Sequence, residues 1–142
     1  MIPEVNYWAV IVATLSTVVV GAVWYTPKVL GNRWTELTRV GPKSPNQPTV
    51  WPFVVVIVGG FVTVWVLAGA TYISWEFYEG SFLTAAIVTA VLLWVGFTVA
   101  RVAIHDAFEG RPAALTTINL GHELVTILVV AVIIGVWPPA GV

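Results

Sequence analysis

The sequence has no cysteine. A disulfide framework, a thiolate metal site and a thiol nucleophile are therefore excluded. Charge is nearly as scarce: Asp, Glu, Lys and Arg make up 9% of 142 residues, while 58% are hydrophobic. A soluble domain carries about 25% charged residues. So few charges cannot cover a water-facing surface, and lipid must be the solvent for most of the chain. A phosphate loop, a Gly-x-Ser-x-Gly elbow and a dinucleotide fingerprint are also missing. No basic, aromatic-laced surface points to nucleic acid.

What is there is a set of four apolar runs, at about residues 5–25, 51–73, 82–104 and 113–137. Each has about the 20 residues that a spanning helix needs. The runs do not alternate polar with apolar residues, as membrane barrel strands would. The expected fold is all-α, with four transmembrane helices in two antiparallel hairpins forming a single domain over 1–142. The first run lacks a basic start and a clear cleavage site and ends in "WYTP". It is read as a retained helix rather than a signal peptide.

Pro27 should end the first helix near Tyr25. The loop that follows, "TPKVLGNRWTELTRVGPKSPNQPT", carries Lys28, Arg33, Arg39 and Lys43. Within it, 31–40 has helical spacing and reads as a short amphipathic helix in the interface; the plainer alternative is a solvated loop. Arg101 and Arg111 flank the third connection, and the second connection and both ends lack Lys and Arg. Loops one and three share a face, which the positive-inside rule puts in the cytoplasm, with both termini outside, in a cell membrane. Trp8, Trp75 and Trp137 fall near one membrane surface, Trp24 and Trp51 near the other. Trp65 and Trp94 fall mid-span, where packing is the expected reason. No internal repeat is evident, so an inverted-repeat transporter is not supported.

The last apolar run holds "INLGHELVT". Thr116, Asn119, Glu123 and Thr126 follow i, i+3, i+7, i+10 and form one stripe. Helix three should continue through "RVAIHDAFE", with Gly110 as its left-handed cap and Pro112 in the first turn of the next helix. Arg101, His105 and Glu109 then form a second stripe at i, i+4, i+8. Folding at Gly110–Arg111 sets Arg101 level with Asn119, and His105 level with Thr116. Glu123 lies one turn deeper, near the bilayer centre, where an unpaired charge costs at least ~2.5–3.5 kcal/mol. It is therefore expected to pair with Arg101, to bond to His122 or Asn119, or to be protonated. His122, on the stripe's edge, could turn toward helix one or two or a second protomer. Tyr25 lies at the same membrane surface as this cluster. Asp106 and Glu109 have an ordinary alternative as solvated interfacial charges, preferred for Asp106.

"HELVT" is not the metalloprotease signature, because Thr126 stands where HExxH needs its second histidine. His105, Glu109, His122 and Glu123 are weak candidates for holding a metal. No cofactor is strongly implied, and enzymatic activity is the less expected reading. A bound lipid or quinone near Trp24 and Trp51 stays open.

"GAVWYTPKVLGNRW" together with "HDAFEGRPAALTTINLGHELV" resembles the bacterial membrane-protein family known as domain of unknown function 1761. The matching positions are Gly21, Ala22, Trp24, Tyr25, Pro27 and Trp34, then His105, Phe108, Glu109, Arg111, Ile118, Asn119 and Gly121. The resemblance implies a small polytopic membrane protein and brings no activity with it. His122 and Glu123 lie outside its pattern. Three functional readings follow. In the first, Arg101, His105, Glu109, Asn119, His122 and Glu123, supported by Tyr25, Thr116 and Thr126, form a polar site for transport of a proton, cation or small polar solute. In the second, the protein is an accessory subunit, and the cluster serves assembly with itself or a membrane partner while the basic loop meets anionic lipid. In the third it binds a metal or ligand. Self-association is expected from small-residue helix faces left unpaired.

Overall fold

The computed structural model describes residues 3–38 and 50–142. The described chain is entirely helical: α1 (Tyr7–Trp24), α2 (Gly31–Thr38), α3 (Val50–Tyr78), α4 (Phe82–Leu93), a π-helical turn (Trp94–Val99), α5 (Ala100–Glu109) and α6 (Ala113–Val136). α4, the π turn and α5 form one continuous rod, Phe82–Glu109. Four rods, α1, α3, Phe82–Glu109 and α6, are long and apolar enough to cross a membrane. This is a multi-pass membrane protein. Helices suit such a chain because they satisfy their backbone groups internally, which lipid demands.

Each rod packs on its neighbour in sequence, and α1 against α6 closes the ring. The ends are tied by local chemistry. Asn6 caps α1 by accepting from the Trp8 and Ala9 amides, and its own amide donates to the Trp137 and Pro138 carbonyls at 3.3 and 3.2 Å. One side chain thus joins the start of α1 to the end of α6. Both described termini therefore sit at the same end of the bundle, called here the terminal end; the other is the basic end. Between α3 and α4, Gly80 takes φ +100°, which a side chain would resist, and its carbonyl accepts from Trp75 Nε1 at 2.9 Å. Ser81 then caps α4.

At the basic end the chain leaves α1 through Tyr25–Leu30 and turns back on itself. The Gly31 amide donates to Thr26 O at 2.9 Å, and Leu30 N to Trp24 O at 3.2 Å. A Cβ on Gly31 would strike the Tyr25 carbonyl, so only glycine fits. α2 follows at once and seats Trp34 edge-on to Tyr25, ring centroids 5.5 Å apart. The expected short amphipathic helix is thus present as Gly31–Thr38; positions 39 and 40 lie outside the described residues, as do Arg39 and Lys43.

Packing is uneven along the bundle. The buried core, Val10, Ala13, Val64, Leu67, Ala68, Phe82, Ala86, Ala90, Val130, Ala131 and Ile134, lies in the terminal half. Alanine and glycine let the helices meet closely there: a Cβ on Gly135 would come within 2.8 Å of Leu83 Cα. In the basic half, indoles stand where the terminal half has methyls. Trp24 lies against Gly121, and α3 exposes every residue from Val50 to Gly59. The bundle is closed at one end and open at the other; Asp106, Asn119, His122 and Glu123 lie in the open half, and the buried polar residues of the closed half are threonines, Thr14, Thr71 and Thr89.

Candidate functional site

The site begins at the turn between α5 and α6. Gly110 ends α5 at φ +65°, the left-handed conformation that glycine accepts freely, and Pro112 precedes α6 in an extended conformation rather than in its first turn. The turn brings Asp106 against α6. Asp106 is 7% exposed; its Oδ2 accepts from Thr116 Oγ1 at 2.6 Å, and its Oδ1 lies 3.7 Å from Arg111 Nε. Arg111 Nε also donates to Glu109 Oε2 at 2.6 Å. A buried carboxylate needs partners of this kind.

Above this turn lies a cavity of about 450 Å³, lined by Tyr25, Thr98, Val102, His105, Asp106, Glu109, Arg111, Asn119, Leu120 and Glu123. Tyr25 reaches into it from the end of α1, its hydroxyl donating to Asn119 Oδ1 at 3.4 Å. Burial, and after it the charge of Glu123, raises the Tyr25 pKa above its usual value, so the phenol stays a donor at neutral pH. A second cavity, about 340 Å³, lies deeper, among Thr17, Val55, Val56, Gly59, Gly60, Thr63, Val64, Trp94, Thr98, His122, Glu123, Thr126, Ile127 and Val130. Thr98 and Glu123 line both. Glu123 thus borders both spaces, and the deeper one reaches core residues Val64 and Val130.

His122 sits beside Glu123. Its Nδ1 is 3.4 Å from Glu123 Oε1, and its Nε2 is 3.4 Å from Thr126 Oγ1. The ring turns toward helix one, with centroids 5.1 Å from Tyr25 and 6.2 Å from Trp24. Gly21 makes room for it: a Cβ there would touch His122 Nε2 at 3.4 Å.

The α6 stripe borders the cavities, with Asn119, Glu123 and Thr126 on them and Thr116 on Asp106, and the Glu123 side chain is 52% exposed. The α5 stripe differs from its expected phase. Arg101 is exposed, lines neither cavity and does not meet Glu123. Thr116 pairs with Asp106 rather than standing opposite His105. The face turned to α6 runs through Thr98, Val102, Asp106 and Glu109, with His105 at its edge. Two physical reasons account for the shift. The π turn, in which the Ala100 amide bonds to Val95 O, inserts a wider turn just before Arg101. A long guanidinium stem can also reach the interface from outside the bundle, whereas a short carboxylate cannot. Asp106, read as a solvated charge, is the buried one; its sequence signal was a hydroxyl ten residues away across a Gly-Arg-Pro turn. Trp94 lies inside as mid-span packing requires, while Trp65 is 48% exposed on the outside.

His105, Glu109, His122 and Glu123 do not gather as a ligand set. Among the described residues, no group of three or more His, Asp or Glu side chains could hold a metal ion. The arrangement supplies instead a row of polar groups, carboxylates, an imidazole, an amide and hydroxyls, from the basic end to mid-span.

No curated protein and no solved structure matches the chain. The family described as a protein of unknown function, DUF1761, matches over residues 8–135, which takes in all but the end residues of the four spans and the whole lining of both cavities. The chain belongs to the DUF1761 family.

Proposed function

We propose that this protein moves a proton, a cation or a small polar solute across the membrane along the row of polar groups in its basic half. The observation that carries the reading is the place of Glu123, which borders both a cavity at the charged basic end and a second one in the middle of the bundle. An ionisable group at that depth is costly in lipid and marks a functional site by default. Water reaching Glu123 from one end lowers that cost and makes the carboxylate exchangeable. The apolar layer of Val10, Val64 and Val130 closes the other end, as alternating access requires of a one-side-open state. The basic end faces the cytoplasm on the positive-inside rule, and both termini face outward.

A second reading has its own support. The unpacked first half of α3 leaves a long apolar face, which a second copy of the chain or another membrane protein would cover. In that case the polar network serves assembly.

The test is ion flux in proteoliposomes, with protons and monovalent cations as the probes. Wild-type protein should carry flux, and Glu123→Gln should reduce it by about tenfold or more while keeping its elution volume and tryptophan emission. Well-folded wild type that carries none of these ions, together with an oligomer that dissociates on the same mutation, would favour the assembly reading.

A further inference from the structure

We infer that the solute is a small organic cation, a primary ammonium on an apolar body, held between the Glu123 carboxylate and the Tyr25 ring; this rests on the transport reading above. Charge balance is the first support. Three carboxylates, Asp106, Glu109 and Glu123, line the two cavities, and among the described residues Arg111 is the only Lys or Arg that does. Arg111 is already engaged by Glu109 at 2.6 Å and stands 3.7 Å from Asp106. Arg101, which would have balanced Glu123, is turned outward. Among the described residues the deepest carboxylate is paired with the His122 imidazole alone, and an anion approaching it would meet that negative charge.

Size and wall chemistry narrow the cation. The spaces, about 450 and 340 Å³, are of the size that takes small organic ligands. A bare divalent ion would need several converging oxygen or nitrogen ligands, and the described side chains offer no such set. An ammonium needs less: one carboxylate, a few hydrogen-bond acceptors and an aromatic face. Glu123, Asn119 and the Tyr25 ring provide these on one wall, and the Tyr25 ring is held in place by Trp34. The deeper space receives the apolar body along Val55, Val56 and Ile127, with the Trp94 ring beside them.

The experiment is calorimetric titration of the purified full-length chain in detergent with phenethylammonium, and with phenethyl alcohol and phenylacetate as its neutral and anionic counterparts. Flux of protons, monovalent metal cations and phenethylammonium is measured after the same protein is reconstituted into proteoliposomes. Wild type should bind phenethylammonium and neither counterpart. Glu123→Gln should weaken binding by about tenfold or more, Glu123→Asp should retain part of it, and Tyr25→Leu should weaken it by about two- to fivefold. Equal binding of the alcohol or of phenylacetate overturns the inference. Ion flux that depends on Glu123 without phenethylammonium binding overturns it too and leaves the transport reading standing. Glu123-dependent binding with no flux of any tested cation upholds the cation site and overturns transport.

Discussion

Replacing Asp106 with alanine removes the acceptor at the centre of the α5–α6 turn, and the structure sets the size of the effect. Asp106 is 7% exposed and accepts a 2.6 Å bond from Thr116. A hydrogen bond to a charged group contributes about 1.5–3 kcal/mol in water-soluble proteins, whereas interhelical bonds in membranes average ~0.6 and reach ~1.7 kcal/mol. The pair lies at the end of the helices, where water reaches Thr116 only in part, so a coupling of about 1–1.7 kcal/mol is expected. Arg111 contributes less, because it is 47% exposed and 3.7 Å away, and it keeps Glu109 when Asp106 is gone. Asp106→Asn, which can still accept from the hydroxyl, should therefore cost less than about 1 kcal/mol. The assay is a double-mutant cycle of Asp106→Ala and Thr116→Val, read by reversible unfolding in mixed micelles with tryptophan emission as the signal. If the two changes add within ~0.3–0.5 kcal/mol, the bond is not a coupled one and the argument fails.

Three further outcomes follow from the packing. Gly135→Ala should destabilise the bundle by about 1–3 kcal/mol, because the new methyl meets Leu83 backbone at 2.8 Å; Gly59→Ala, with nothing within 4 Å, should be neutral or stabilising, and a thermal melt compares the two. Gly31→Ala should open the Tyr25–Leu30 turn and separate Trp34 from Tyr25, visible as a red shift of tryptophan emission; an unshifted spectrum would refute the tight turn. Arg101→Gln should leave any flux within about twofold of wild type, since the side chain lines neither cavity; a loss as large as that of Glu123→Gln would show that Arg101 turns inward during transport.

Local chemistry made much of this legible in advance. The spans follow from length and hydropathy alone, and Gly110 as a left-handed cap follows from the one residue type that accepts φ +65° without strain. The inward face of α6 is readable because a regular helix keeps a constant angle per residue from Thr116 to Thr126. On the partner helix that constancy fails. The sequence "WVGFTV" has no residue that announces a π turn, yet the turn rotates everything after it, and Arg101 and Asp106 exchange the places that a uniform period assigns. The exchange also depends on which charge can be satisfied inside, a question of partners on another helix. Periodicity within one segment holds no information about that.

The same contrast explains why Glu123, His122 and Asn119 occupy the basic half. Where Ala13, Ala68, Ala86, Ala90, Ala131 and Gly135 meet, the helices approach too closely for water, and a charge there would lie in a dry core. Where Trp24 fills the gap against Gly121, and Trp94 and Gly60 border the deeper cavity, the rods stand apart enough to leave space beside Glu123. Narrowing that space is then a sharper test than removing charge. Gly60→Leu would set a branched side chain where a bare Cβ already comes within 3.0 Å of Thr17 Oγ1. It should push into the deeper cavity, block passage at Thr17 and Thr63, and leave the basic-end cavity and its Tyr25–Asn119 contact intact. Loss of flux together with weakened phenethylammonium binding would place both the route and the bound apolar body in the deeper cavity. Unchanged flux would mean that the deeper cavity is not on the route.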